Sequence, residues 1–196
     1  MIQRCAWVPT NDTLYLDYHD REWGVPVHDD LIWFEFLILE GFQAGLSWRM
    51  ILNKRENFRQ AFDHFDPQKI ALYNDNKIGE LLSNAGIIRN QSKIRASISN
   101  ARSFLTIQGE FGSFDSYIWR FVDRRPKVNA WYSIADIPAR SPESDSLSKD
   151  LIQRGFKFVG STICYAHMQA TGMVNDHTTD CFRYKELIAK RSGEYQ

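Results

Sequence analysis

The sequence predicts an all-α protein, and three observations carry that expectation. From residue 29 onward the apolar residues recur at helical spacing. Residues that start and stop helices stand at the ends of those runs. Strict apolar–polar alternation of the kind a half-buried strand needs is almost absent, and no internal repeat is present.

The elements follow in order. Residues 29–45, "DDLIWFEFLILEGFQAG", open on an Asp suited to capping a helix and run into Gly41 and Gly45, where a helix loosens or stops. "SWRMILNKRENFRQAF" restarts with Ser47 as its cap, and Asp66-Pro67 places an acidic cap before a proline in the first turn. Residues 75–105 hold two helical patterns flanking a short apolar hairpin, "AGIIRNQ". A turn-rich, Pro-containing stretch from about Arg124 to Glu143 precedes two more helices broken at Gly155. The first 28 residues lack helical periodicity and read as irregular, yet they carry Cys5, Trp7, Tyr15, Tyr18, His19 and Trp23. They need something other than local propensity to be ordered, and a metal would serve.

At 196 residues the chain suits one domain of two packed helical lobes. With 43% hydrophobic and 14% aromatic residues it has apolar surface enough to offset chain entropy. Lysines and arginines number 24, as do the acids, so no global field draws the protein to nucleic acid or an anionic membrane, which leaves only a local basic face. The three cysteines suit a reducing cytosol better than a disulfide framework. The N-terminus is too polar for a signal peptide and no run approaches a membrane span, so a soluble, cytoplasmic protein and a monomer are the expectation.

Near the C-terminus, "GMVNDHTTDC" spaces His177 and Cys181 one helical turn apart, and Cys5 and His19 form a second Cys/His pair. Two readings stand on spacing alone. The four either meet in a closed tetrahedral Cys2His2 site, the donor set that selects zinc and leaves no open position, or are inert cysteines and satisfied core histidines. Cys164 lies in an apolar helical context and reads as packing; His28, His64 and His167 have no Cys neighbour and read as surface or core.

Six runs, in order along the chain, resemble one family. They are "RCAWV" at 4–8, "YHDREWGVP" at 18–26, "LEGFQAGLSW" at 39–48, "KREN" at 54–57, "AGIIRN" at 85–90 and "GFKFVGSTICYAHMQATGMVNDH" at 155–177. The family is the bacterial 3-methyladenine DNA glycosylases of type I, the constitutive kind. The resemblance implies a helix-hairpin-helix fold whose zinc, held by Cys5, His19, His177 and Cys181, joins segment 1–28 to segment 172–185.

It further implies a base pocket lined by Tyr18, Glu40 and Trp48. There two aromatic faces sandwich a flipped purine, and Glu40, on which excision rests, reads its hydrogen-bond donors and positive charge. Glu40 stands within the apolar run "FLILEGF", where an unpaired carboxylate is costly, unless it faces solvent from an amphipathic helix. Gly45 and Leu46 belong, by resemblance, to the element that wedges into duplex DNA. Gly86, Ile87, Arg89 and Lys93 belong to the hairpin, whose backbone N–H groups point at a phosphate. Gln91 departs from the family's frequent basic residue, and Arg89, Lys93, Arg95 and Arg102 are the local substitutes. The activity implied is monofunctional hydrolytic removal of 3-methyladenine from duplex DNA. Two other classes compete: a nucleic-acid binder without excision, and a zinc hydrolase, which would need an open coordination position.

Overall fold

The computed structural model describes residues 2–193; Met1 and residues 194–196, which the single-domain expectation included, lie outside them. Ten helices carry the fold, among the described residues, with one parallel pairing of two-residue strands, β1 (Lys127–Val128) on β2 (Val174–Asn175).

At the centre is α2 (Asp30–Gln43), capped by Asp29, whose carboxylate accepts from the amides of Leu31 and Ile32. Every residue from Trp33 to Phe42 is buried, so this helix has no solvent face over that span and its neighbours surround it. Among them are α3 (Trp48–Ala61), α6 (Gln91–Phe111), α7 (Phe114–Ile118) and α9 (Ser161–Ala170). The caps read from sequence are in place: Ser47 accepts from Met50 N, and Asp66 from Gln68 N and Lys69 N ahead of α4 (Pro67–Ile70). α8 (Pro142–Gln153) and α9 pack together across the break at Gly155. No described helix is long and apolar enough to cross a membrane.

The segment expected to be irregular contains α1 (Thr13–Arg21), a correction with a clear cause. Asp12 caps it through Tyr15 N, but only Tyr18 and His19 are buried, so a single short inward edge replaces the apolar stripe that periodicity detects. The two ends of the chain are then stitched by backbone bonds, Gly24 N to Gln169 O (3.0 Å), Val27 N to Thr171 O (3.1 Å) and Phe182 N to Gln3 O (3.0 Å). Gly172 makes that crossing feasible: its φ is +70°, and a Cβ there would sit 2.3 Å from the carbonyl carbon of Val25.

Helix α5 (Asp75–Ser83) turns into α6 through residues 84–90, the expected hairpin position. Asn84 accepts from Gly86 N (2.8 Å), and Lys54 and Asn57 of α3 donate to the carbonyls of Ala85 and Gly86, so the "KREN" run fastens this turn.

Candidate active site

Two neighbouring constellations emerge from this packing. In the first, the buried side chains of Cys5, His19, His177 and Cys181 bring one ligand atom each within 4.8 Å of all the others. Three of the separations between sulfur and nitrogen are 3.5 Å: Cys5 Sγ to His177 Nδ1, Cys181 Sγ to His177 Nδ1 and Cys181 Sγ to His19 Nε2. The remaining nitrogens are oriented from outside, His19 Nδ1 by the Asp20 carboxylate (2.8 Å) and His177 Nε2 by the Trp23 carbonyl (3.0 Å). Arg4 in turn holds Asp20 through Nη2 at 2.6 Å. The Cys181 thiol is held well below the ordinary range, chiefly by the hydrogen bond from Cys5, which is itself pushed up by sharing that proton. These four could hold a metal ion. Cys164 stands apart, buried against the Val159 carbonyl, and burial pushes its thiol up to about 12.

The second constellation is a cup of about 390 Å3 that shares the Trp7 and Trp23 wall with the Cys/His cluster. Tyr18 comes from α1 and Trp48 from the start of α3, their ring centroids 5.5 Å apart at 46°. Two ion pairs tie the residues that flank α1 to α3: Arg49 to Asp12 at 2.8 Å and Arg55 to Glu22 at 2.6 Å. Glu40 reaches the cup from α2.

Helix α2 buries two carboxylates, and their contrast marks the site. Glu35 is gripped by the guanidinium groups of Arg55 and Arg59. Glu40, 2% exposed, has a carboxyl oxygen, Oε2, with no hydrogen-bond partner among the described residues, and Trp48 Nε1 is a buried donor likewise without one. Burial alone pushes the Glu40 carboxyl up to about 8. A buried carboxyl left without a partner is costly, so this arrangement is one that a bound molecule completes. Its lining of aromatic rings, a carboxyl and an indole N–H suits a flat heteroaromatic ring that both donates and accepts.

The cup also has a wall the sequence reading treated only as a turn-rich separator. Ile134, Ile137, Pro138 and Ala139 face it from the loop after β1. That loop hangs on Asp176, a fully buried carboxylate that accepts from Asn129 Nδ2 (2.6 Å), Trp131 Nε1 (2.8 Å), Tyr165 Oη (2.7 Å) and Gln169 Nε2 (2.8 Å). The one signal available in the sequence is a carboxylate directly beside His177.

Beyond the rim, Gln43–Leu46 is a type II turn: Ala44 has φ −46° and ψ 113°, Gly45 has φ +81°, and Leu46 N donates to Gln43 O at 2.6 Å. Gly45 is exposed with open space around it, and Leu46 is half-buried beside it.

The hairpin corrects two expectations. Lys93 is not on an outer basic face; its ammonium is turned inward and donates to the carbonyls of Phe42 (2.7 Å) and Ala44 (2.6 Å), closing the C-terminus of α2. Of the other cations, Arg95 is paired with Asp75 and Arg102 with the Ala71 carbonyl, which leaves Arg89 exposed. The amides of Gly86 and Ile87 are used inside the turn, on Asn84. Asn90 caps Lys93 N, so the amides that α6 leaves open at its start are those of Gln91 and Ser92.

A helical chain that encloses an aromatic cup around a partnerless carboxyl has the geometry of a site for a flat ring. A family model described as methyladenine glycosylase matches residues 7–184, and the chain belongs to that family. It is 48% identical over 183 residues to DNA-3-methyladenine glycosylase 1 of Escherichia coli (strain K12), covering 93% of this chain and 97% of that protein. It is 44% identical over 181 residues to DNA-3-methyladenine glycosylase of Haemophilus influenzae, covering 92% and 97%. A crystal structure of 3-methyladenine DNA glycosylase I superposes with a TM-score of 0.89 at 52% identity, over 92% of this chain and 98% of that one. A structure addressing 3-methyladenine recognition by the Staphylococcus aureus enzyme superposes at 0.86 with 36% identity, over 88% and 92%.

Proposed function

We propose that the protein removes 3-methyladenine from alkylated duplex DNA by hydrolysis, without a covalent enzyme intermediate. The observation that carries this reading is the partnerless, buried Glu40 carboxyl bordering a cup walled by Tyr18 and Trp48.

An adenine alkylated at N3 carries positive charge while attached to the sugar. It offers an exocyclic amine to Glu40 and ring acceptors to Trp48 Nε1. Contact with each aromatic face is worth about 1–3 kcal/mol, and the positive charge adds attraction to both the rings and an ionised Glu40. Extrusion from the stack costs a few kcal/mol, less for a damaged base. The leaving base takes the electron pair of its bond to the sugar carbon and departs neutral; water supplies the oxygen that replaces it and gives up a proton. The base is its own good leaving group, so enclosure and orientation carry most of the work asked of the protein.

Gly45 and Leu46, on the exposed turn at the rim, are the residues that fill the gap left by the extruded base. The turn at 84–90 acts as a DNA-gripping hairpin through the open Gln91 and Ser92 amides at the start of α6, with Arg89 beside them.

The Cys/His cluster is read as a structural zinc site. Zinc bonded to sulfur at about 2.3 Å and nitrogen at about 2.05 Å in a tetrahedron separates them by about 3.6 Å, which fits the 3.5 Å spacings here. The outward nitrogens of both histidines are oriented as ligating imidazoles require. Four protein ligands fill the ion's shell, so its contribution when bound is to stability.

The deciding assay measures free 3-methyladenine released from methylated duplex DNA, with Glu40→Gln as the control. Loss of a charge-assisted hydrogen bond worth about 1.5–3 kcal/mol predicts roughly a 10- to 100-fold slower release by the variant. DNA binding without release by the wild-type protein would refute the proposal.

A further inference from the structure

Glu40 borders a second, much smaller void of about 10 Å3, enclosed by α2, α8 and α9. Its lining is apolar apart from Glu40, Cys164 and His167, and the Cys164 thiol is already bonded to the Val159 carbonyl at 3.3 Å. His167 is 3% exposed and neither of its ring nitrogens has a partner among the described residues, the same condition as Glu40 Oε2. Two unsatisfied polar side chains thus face one enclosed space. The space is about the size that admits a single water, and a buried water needs two or more polar partners to be held.

We propose that His167 is a positioning residue for Glu40: one water in this void accepts from the imidazole N–H and donates to the Glu40 carboxyl, fixing its orientation and favouring its ionised form. The inference rests on the reading of Glu40 as the base-recognising group. Burial holds His167 neutral, with its pKa down at about 3, so it brings a donor and no charge. The other titratable groups that line these two spaces are Tyr15, Tyr18, Tyr165 and Cys164, none of them cationic. No charge in the lining offsets that of an ionised Glu40, which makes a neutral donor the available means of stabilising it.

A space-filling role makes a different prediction. His167 lies against Trp33 with ring centroids 5.5 Å apart, and phenylalanine would serve that contact equally well. His167→Phe keeps the ring and removes the donor; His167→Gln keeps a donor. Single-turnover release of 3-methyladenine from methylated duplex DNA is followed from pH 5.5 to 9. The midpoint of the acid limb is expected to move up by about one unit in His167→Phe, a roughly tenfold loss below it that fades at high pH. In His167→Gln it returns toward wild type. A wild-type midpoint in folded His167→Phe overturns the inference.

Ring 15N signals of His167 in the unaltered protein give a test that needs no variant at this position. One fixed tautomer whose signals shift in Glu40→Gln is expected; a ring indifferent to that change overturns the inference. If Glu40→Gln releases base at the wild-type rate, the reading of Glu40 itself falls. If it is impaired while His167→Phe keeps the wild-type midpoint, only the water-mediated link is lost.

Discussion

The stability of Glu40→Gln relative to wild type should rise with pH. Burial pushes this carboxyl from 4.5 to about 8 in the folded chain, so the folded state holds the proton more tightly than the unfolded one. Between those two values unfolding releases the proton, and stability falls as pH rises through the window. Integrating the linkage gives a loss of about 1 kcal/mol by pH 5, about 3 by pH 7 and about 5 by pH 9. Gln cannot titrate, and its own packing cost is a pH-independent offset. The Cys/His cluster and every other titrating group are common to both proteins and cancel in the difference. The stability gap between variant and wild type should therefore widen by about 2–3 kcal/mol from pH 5 to pH 7, roughly 5–10 °C in Tm for a chain of this size. If the proposed water on His167 lowers the carboxyl by about one unit, the widening is still about 2 kcal/mol. Urea unfolding of both proteins at pH 5, 6, 7 and 8 measures it. A gap constant to within about 0.5 kcal/mol across that range would refute the claim that Glu40 is buried without a partner.

Changing Cys181 to Ala, or stripping metal with a chelator, should lower Tm by roughly 10 °C or more, because a closed site contributes its binding energy to folding; unchanged melting of metal-free protein would sink the zinc reading. Gly172→Ala should cost about 3 kcal/mol or more, since its Cβ would fall 2.3 Å from the Val25 carbonyl carbon at a φ of +70°; a wild-type unfolding curve would show that the two ends are not in contact there. Arg89→Ala should reduce the salt dependence of DNA binding by about one phosphate contact. Lys93→Met should leave that dependence unchanged while destabilising the fold by about 1–3 kcal/mol, through the Phe42 and Ala44 carbonyls it leaves unpaired; the reverse pattern in a salt titration would restore Lys93 to the outer face.

What could be read from the residues divides along physical lines. The cap positions Asp29, Ser47 and Asp66 were legible because capping is a local matter between a side chain and amides two or three residues on. Helix α1 was not, because two buried residues make no period. The Cys and His residues were legible as a ligand set but not as a cluster, since the pairs are 162 and 172 residues apart and only tertiary packing unites them. Lys93 was misplaced for the same reason. A lysine at the start of a helix with arginines two and four positions away looks solvent-facing, and what turns it inward is the carboxyl end of another helix 49 residues away. The loop wall at Ile134–Ala139 carried no motif at all, because its residues act as shape and its anchor, Asp176, lies 40 positions downstream of Asp136.

Asp176 also links the Cys/His cluster to a cup that the cluster does not enter. It is adjacent in sequence to His177, which belongs to the cluster, and its two oxygens hold Trp131 and Asn129 of the loop wall and Tyr165 and Gln169 of α9. Tyr165 and Gln169 line the cup directly, and so do Trp7 and Trp23, whose rings lie against His19 and His177. Freeing the cluster would therefore loosen walls contributed by the N-terminal segment, the loop and α9, while leaving Glu40 on α2 and Trp48 on α3 fastened by the central helix packing. On the proposed function, base recognition would be degraded through shape before it was lost through chemistry. A buried carboxylate satisfied by four donors and one left without any thus have opposite tasks: the first builds the cup, and the second waits for what goes in it.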